Sequence, residues 1–293
     1  MLAQDLYQSA DSRAVRNSVE IDGGPCVYFE YPSADNSDVT LVMIHGYRGN
    51  HRGLQAIAAG LSKYRVIIPD LPGFGESAPL KMTHSIQAYS DWLHKFLGAL
   101  QLENKANLMG HSFGSLVVGF YATRHSPRSV TLVNPVSSPA LEGPRAALTN
   151  LTKVYYSLAA ALPKAIGQWL LRSRLAVMIM SVVMVKTKQR RLRRWIHNQH
   201  LSNFSDFATV EVATEGYMAS ISTDLSKLAP MIASPVLVVA ATLDDITDIE
   251  SQRQVSKLYS NSTYREILGV GHLVHYEAPE QAASYISEFL DSH

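Results

Sequence analysis

Short apolar runs recur along the chain, separated by segments whose apolar residues return at helical spacing. Thr40-Leu41-Val42-Met43-Ile44 and Pro235-Val236-Leu237-Val238-Val239-Ala240-Ala241 are nearly unbroken runs, the pattern of strands covered on both faces. Tyr64 to Asp70, Lys105 to Met109, Val130 to Pro135 and Tyr264 to Leu268 read as further strands. Val15 to Ile21 and Cys26 to Tyr31 read as two more, joined through the turn residues Asp22-Gly23-Gly24-Pro25. Between them, His51 to Ser62 fits a helix. Ser85 to Leu100 is amphipathic, with Ile86, Tyr89, Leu93, Phe96, Leu97 and Leu100 on one stripe. Ser115 to Ala122 reads as a buried helix, and Pro279 to Leu290 closes the chain with Ala282, Ile286, Phe289 and Leu290 facing inward. Strand and helix alternate, which predicts an α/β fold.

The alternation stops between Pro139 and about Pro230, where several helical segments occur and no clear strand. The pattern predicts three parts: a core segment over 1–138, a helical insertion over 139–230, and a second core segment over 231–293. Within the insertion, Leu175 to Val185 is apolar all round. Its 11 residues are too few for a bilayer span, which needs about 20. The run is therefore expected to bury itself, with Met178, Met180 and Met184 offering an adaptable wall. Lys186 to Trp195 carries six basic residues. On a helix they scatter around the axis and leave a narrow strip at Leu192 and Trp195, the pattern of a solvated helix, with contact to a phospholipid surface as the alternative.

Composition narrows the picture. At 293 residues and 46% hydrophobic, the chain suits one large domain carrying an insertion. A net charge of +1 gives no global attraction to nucleic acid, and none is expected as a partner. The single cysteine, Cys26, excludes an internal disulfide and supplies no zinc cluster; it reads as a small core residue. Met1 to Glu20 is polar and lacks the apolar stretch of a secretion signal, so a cytoplasmic location is expected.

The chemistry centres on Gly110-His111-Ser112-Phe113-Gly114, between a strand and a helix. A serine on such a turn lifts its hydroxyl out of the sheet above the helix N-terminus, and side chains at Gly110 or Gly114 would collide with their neighbours. With its context this segment resembles the nucleophile elbow of the α/β-hydrolase family. Three other segments share the resemblance: His45-Gly46-Tyr47, Asp70-Leu71-Pro72-Gly73-Phe74-Gly75-Glu76-Ser77, and Gly269-Val270-Gly271-His272. It covers residues 15–136 and 235–291. It implies a mostly parallel, doubly wound sheet of about eight strands, with 139–230 as a helical cap over the nucleophile.

The resemblance implies Ser112 as nucleophile, His272 as base and Asp244 as acid. Asp244 lies three residues past Ala241, which stands where relatives carry glycine, and it ranks ahead of Asp248 and Asp245. Some relatives carry the acid after the preceding strand, but that position is the neutral Asn134. Backbone N–H groups of Tyr47 and Phe113 are the implied oxyanion donors. His45 is read as bracing its loop, Asp70 as bonding backbone, and His275 as a weak alternative base. No metal or organic cofactor is implied. Aspartate-nucleophile chemistries of the same fold are excluded by Ser112. The expected reaction is hydrolysis of a carboxylic ester of a fairly apolar small molecule. C–C bond hydrolysis is the alternative, with a non-catalytic ligand receptor behind it. Arg48, His51 and Arg52 would either favour an anionic substrate or form a solvated loop. The pattern specifies no oligomeric state.

Overall fold

The computed structural model describes residues 3–142 and 146–293. Met1 and Leu2, at the head of the polar N-terminal stretch, and Gly143 to Arg145, in the segment read as a cap, lie outside the described residues. Eight strands form one sheet: β1 (Val15–Ile21), β2 (Gly24–Tyr31), β3 (Thr40–Ile44), β4 (Arg65–Pro69), β5 (Asn107–His111), β6 (Ser129–Val133), β7 (Val236–Ala241) and β8 (Ser262–Ile267). Their spatial order is β1-β2-β4-β3-β5-β6-β7-β8. β2 pairs antiparallel with β1 and β4, and every pairing from β4 to β8 is parallel. The β1–β2 turn is tighter than the sequence implied. Only Asp22 and Gly23 connect the strands, with φ of 54° and 73°. Positive φ at both central positions matches the twist of a two-residue hairpin.

The helices follow as α1 (Ala3–Asp11), α2 (His51–Gly60), α3 (Ile86–Ala99), α4 (Phe113–Ala122), α5 (Ala146–Ala161), α6 (Lys164–Leu171), α7 (Arg174–Met184), α8 (Arg190–Asn203), α9 (Val210–Ser220), α10 (Leu225–Leu228), α11 (Ile249–Ser256), α12 (Val274–Glu277) and α13 (Pro279–Ser292). Helix α3 begins where Ser85 Oγ accepts the Ala88 amide at 3.1 Å. The sheet divides two apolar cores, and the period of 2 along each strand feeds both. Val42, Ile44, Leu108, Leu132 and Val238 face one core with α3 and α4. Leu41, Met43, Met109, Val133 and Val239 face the other with α2 and α13. Cys26 is buried in the first core, and burial pushes its thiol up to about 12.

Helix α1 had no counterpart in the pattern reading. It lies in the polar N-terminal stretch, yet Ala3, Leu6 and Ala10 form a buried stripe, and Gln55 Nε2 donates to the Tyr7 carbonyl at 2.8 Å. Among the described residues six α-helices, α5 to α10, lie between β6 and β7. Two expectations about them need correction. The run Leu175–Val185 does not bury itself: Leu175 is 71% exposed and Val182 59%, with Val177, Ser181 and Val185 turned inward. Packing on α8 covers one side only. The basic segment is also not one helix from Lys186. The Lys186 and Thr187 amides donate to Glu277 Oε1, both at 2.7 Å, so α8 starts at Arg190.

Candidate active site

Parallel strands bring their carboxyl ends to one edge of the sheet, and four loops there converge. Ser112 follows β5, Asn134 follows β6, Asp244 stands three residues past the end of β7, and the loop after β8 carries His272. The strand order makes these four loops neighbours. The elbow turn is Ser112 alone, because α4 begins at Phe113. Its φ of 53° and ψ of −118° are costly for a residue with a Cβ. Close packing holds it there. A Cβ on Gly110 would run into the Gly114 carbonyl, and one on Gly114 into the carbonyl oxygens of Ile44 and His45.

Ser112 Oγ lies 2.7 Å from His272 Nε2, and His272 Nδ1 lies 2.8 Å from Asp244 Oδ2. The Asp244 side chain is fully buried, and its Oδ1 accepts the Ile246 and Thr247 amides at 2.7 and 3.2 Å. An ionised carboxylate only accepts, so Nδ1 carries the imidazole proton and Nε2 presents its lone pair to the serine hydroxyl. A serine so placed can pass its proton to the ring as its oxygen attacks an electrophilic carbon. The other candidates lie elsewhere. Asp248 caps α11, accepting the Ser251 amide at 2.9 Å. Asp245 pairs with Lys186 Nζ. His275 is buried with its ring 4.4 Å from that of His111, and burial holds its pKa well below the usual histidine value.

Of the residues whose amides were read as oxyanion donors, Tyr47 lies in the loop after β3 and Phe113 is the first residue of α4, directly after Ser112. Neither amide donates to a protein acceptor among the described residues. Their rings meet edge to face at 6.3 Å. Tyr47 also approaches Tyr156 of α5 and Tyr217 of α9, which stack on each other at 4.5 Å. Core and insertion therefore share an aromatic cluster that reaches the residue next to Ser112.

The surrounding loops are braced as their chemistry requires. His45 Nδ1 donates to the Gly46 carbonyl at 2.8 Å, and Nε2 accepts the Leu71 amide at 2.9 Å. Asp70 accepts the His51 and Glu76 amides at 2.7 and 2.9 Å. Neither reading of Arg48 and His51 survives, because both side chains are buried. His51 Nδ1 lies 2.9 Å from Asp70. Arg48 donates from Nε to Phe204 O at 2.9 Å, from Nη2 to Leu171 O at 2.7 Å, and from Nη1 to Tyr156 Oη at 3.2 Å. Leu171 ends α6 and Phe204 caps the end of α8. Two helix C-termini thus supply the negative potential that a carboxylate would otherwise give this cation. Arg48 ties the Tyr47 loop to the insertion and is not free for a substrate. Arg52 pairs instead with Asp11 at 3.2 Å.

Three positioning residues escaped the sequence reading. Asn134 donates to the His272 and Gly271 carbonyls at 2.9 and 3.2 Å and accepts the Ala241 amide at 2.9 Å. A neutral amide suits this place because it must donate to two oxygens and accept from a nitrogen. His111 Nε2 donates to the same His272 carbonyl at 3.1 Å, and burial holds its pKa down at about 3. Glu277 Oε2 accepts the Gly271 amide at 2.9 Å, while its other oxygen holds the Lys186 and Thr187 amides. Glu277 therefore joins the histidine loop to the α7–α8 connection. Each makes a contact across at least 90 residues of chain, which no local pattern reveals.

Comparison with known proteins bears on the family and the fold. The chain is 27% identical over 255 residues to a pimeloyl-[acyl-carrier protein] methyl ester esterase of Aeromonas hydrophila, covering 85% of this chain and 94% of the relative. It is 37% identical over 101 residues to Lipase 1 of Psychrobacter immobilis, covering 33% of this chain. That match spans only 32% of the lipase's length. Among solved structures, a thermophilic esterase from Thermogutta terrifontis superposes with a TM-score of 0.74 at 21% identity, covering 95% of this chain and 98% of that one. The sequence model of the alpha/beta hydrolase fold matches residues 39–279. With a match across most of its length and the sheet order described above, the chain belongs to the α/β-hydrolase family.

Proposed function

We propose that this hydrolase cleaves carboxylic esters with an apolar acyl part through an acyl-enzyme on Ser112. The observation that carries the reading is the unbroken chain from Ser112 Oγ through His272 to the buried Asp244. Ser112 Oγ attacks the acyl carbon, and its proton passes to His272 Nε2. Asp244 stabilises the resulting imidazolium. Negative charge gathers on the carbonyl oxygen, where the Tyr47 and Phe113 amides receive it; one such donor is worth about 3 kcal/mol in the transition state. The carbon–oxygen bond to the alcohol breaks, and the alcohol leaves with the proton from His272. Water then repeats the sequence, releasing the acid and restoring the serine.

The aromatic cluster of Tyr47, Phe113, Tyr156 and Tyr217, which reaches the residue next to Ser112, makes these surroundings apolar and supports an apolar acyl group. Arg48 is fully engaged, which removes the main reason to expect an anionic substrate. The test is labelling by a fluorophosphonate probe, followed by p-nitrophenyl esters of rising acyl length. Ser112→Ala should abolish labelling while keeping the fold. For the native enzyme kcat/KM should rise with each methylene, by up to ~0.8 kcal/mol when the group is buried. Labelling that persists in Ser112→Ala would assign the chemistry to another residue. A profile that is flat or falls from acetate onward would reject the apolar ester and favour C–C bond hydrolysis.

A further inference from the structure

The charge of this chain is distributed very unevenly. Residues 143–205 hold 11 of its 26 lysines and arginines and none of its 25 acidic residues. The rest of the chain is therefore strongly acidic, and the near-zero net charge conceals a basic insertion. The carboxylates that pair with lysines here come from outside the stretch, Glu211 to Lys164 and Asp245 to Lys186. Arg190, Arg191 and Arg194 remain exposed. With Trp195, Gln4 and Asn198 they line a groove of about 310 Å³.

The same stretch leaves its apolar stripes uncovered. On α5, Leu148, Leu151, Val154 and Leu158 recur every three or four residues and stay more than half exposed. On α7, Leu175, Ile179 and Val182 do the same, and Trp169 of α6 is 73% exposed. A monomeric soluble protein rarely exposes large apolar side chains in rows such as these. Apolar stripes flanked by arginines and an exposed tryptophan are the composition of helices lying in a membrane interface.

We infer that the insertion, through the α5 and α7 stripes and the Arg190–Arg194 groove, docks on the surface of an anionic phospholipid bilayer. Charge complementarity selects this occupant. A basic segment with no acidic residue of its own repels the same face of a second copy, whereas anionic headgroups neutralise the arginines as acyl chains receive the stripes. Residues 164–184 are also long and apolar enough to cross a bilayer. Arg172 and Arg174 sit in the middle of that segment, and Arg172 Nη2 donates to Phe207 O, so it lies on the interface and does not span. Docking there leaves the site close at hand. The connection from α7 to α8 is held by Glu277, whose other oxygen holds the turn before His272. An amphiphilic ester would reach Ser112 from the bilayer, a consequence that rests on the proposed esterase activity; the docking itself does not.

The test is co-sedimentation of the full chain with phosphatidylcholine vesicles, with and without about 30% phosphatidylglycerol. Binding should require phosphatidylglycerol and weaken about tenfold between about 0.1 and 0.5 M salt. Arg190→Glu/Arg191→Glu/Arg194→Glu should abolish it. Leu175→Ser/Ile179→Ser should weaken it at least about tenfold, at unchanged melting temperature, because these side chains are exposed. Equal binding to both vesicle types, no binding to either, or indifference to both variants would overturn the inference. So would a dimer in lipid-free solution that Leu175→Ser/Ile179→Ser converts to monomer, since a second copy would then cover the stripe. Vesicle binding is read without substrate, so an absence of esterase activity leaves this outcome interpretable.

Discussion

Lowering the pH from about 7.5 to about 5.0 should remove at least about 4 kcal/mol of folding stability, because buried histidines resist protonation; His111 and His200 account for that much, and His275 and His45, also held low by burial, add to it. His111 is enclosed between the elbow and the His272 loop, and burial holds its pKa at about 3. His200 on α8 is buried with Nδ1 2.7 Å from Ser181 Oγ, and burial holds it at about 4. In the unfolded chain both titrate near the ordinary value of about 6.5. Below that pH the unfolded state binds more protons than the folded one. The stability these groups confer is thus complete above pH 6.5 and is lost as pH falls toward 4 and 3. At pH 5 each accounts for about 2 kcal/mol, against a total of 5–15 kcal/mol for a typical domain. Urea unfolding followed by tryptophan fluorescence at the two pH values measures the loss. His200→Gln should remove about 2 kcal/mol of the pH dependence while costing about 1 kcal/mol at pH 7.5 through the lost Ser181 bond. A native protein that loses less than about 1 kcal/mol, or a His200→Gln variant with undiminished pH dependence, would refute the reasoning.

Three further outcomes follow from the site and its supports. Asp244→Asn should lower kcat by about 10⁴-fold while Asp248→Asn costs little, because only Asp244 reaches His272; kinetics showing the reverse would move the acid. Gly114→Ala should cost about 3 kcal/mol or more, since its Cβ meets the backbone carbonyls of β3's end, and thermal melting should show a fall of roughly 6–10 °C. Arg48→Met strands the carbonyls of Leu171 and Phe204, which should cost about 2–5 kcal/mol and speed amide exchange at the ends of α6 and α8; unchanged exchange there would show that Arg48 does not anchor the insertion.

The sequence determined the elements whose signal is local. Val42 and Val238 lie in apolar runs that only a strand covered on both faces can use, and the period along Ile86, Tyr89 and Leu93 can bury only as a helix. The pairing of Gly110 and Gly114 around Ser112 was legible for the same reason, since the tight turn forbids a Cβ at each. Element ends were less legible: the elbow strand runs to His111 and its helix starts at Phe113, because the two elements meet at a single residue. Tertiary structure alone decided the rest. Whether Arg48 met solvent, substrate or helix C-termini depended on where α6 and α8 ended, more than a hundred residues away. The roles of Asn134, His111 and Glu277 depended on which loops the strand order made neighbours. The burial of Leu175–Val185 failed because apolar composition states what a segment can bury, whereas the packing partners present decide how much it does.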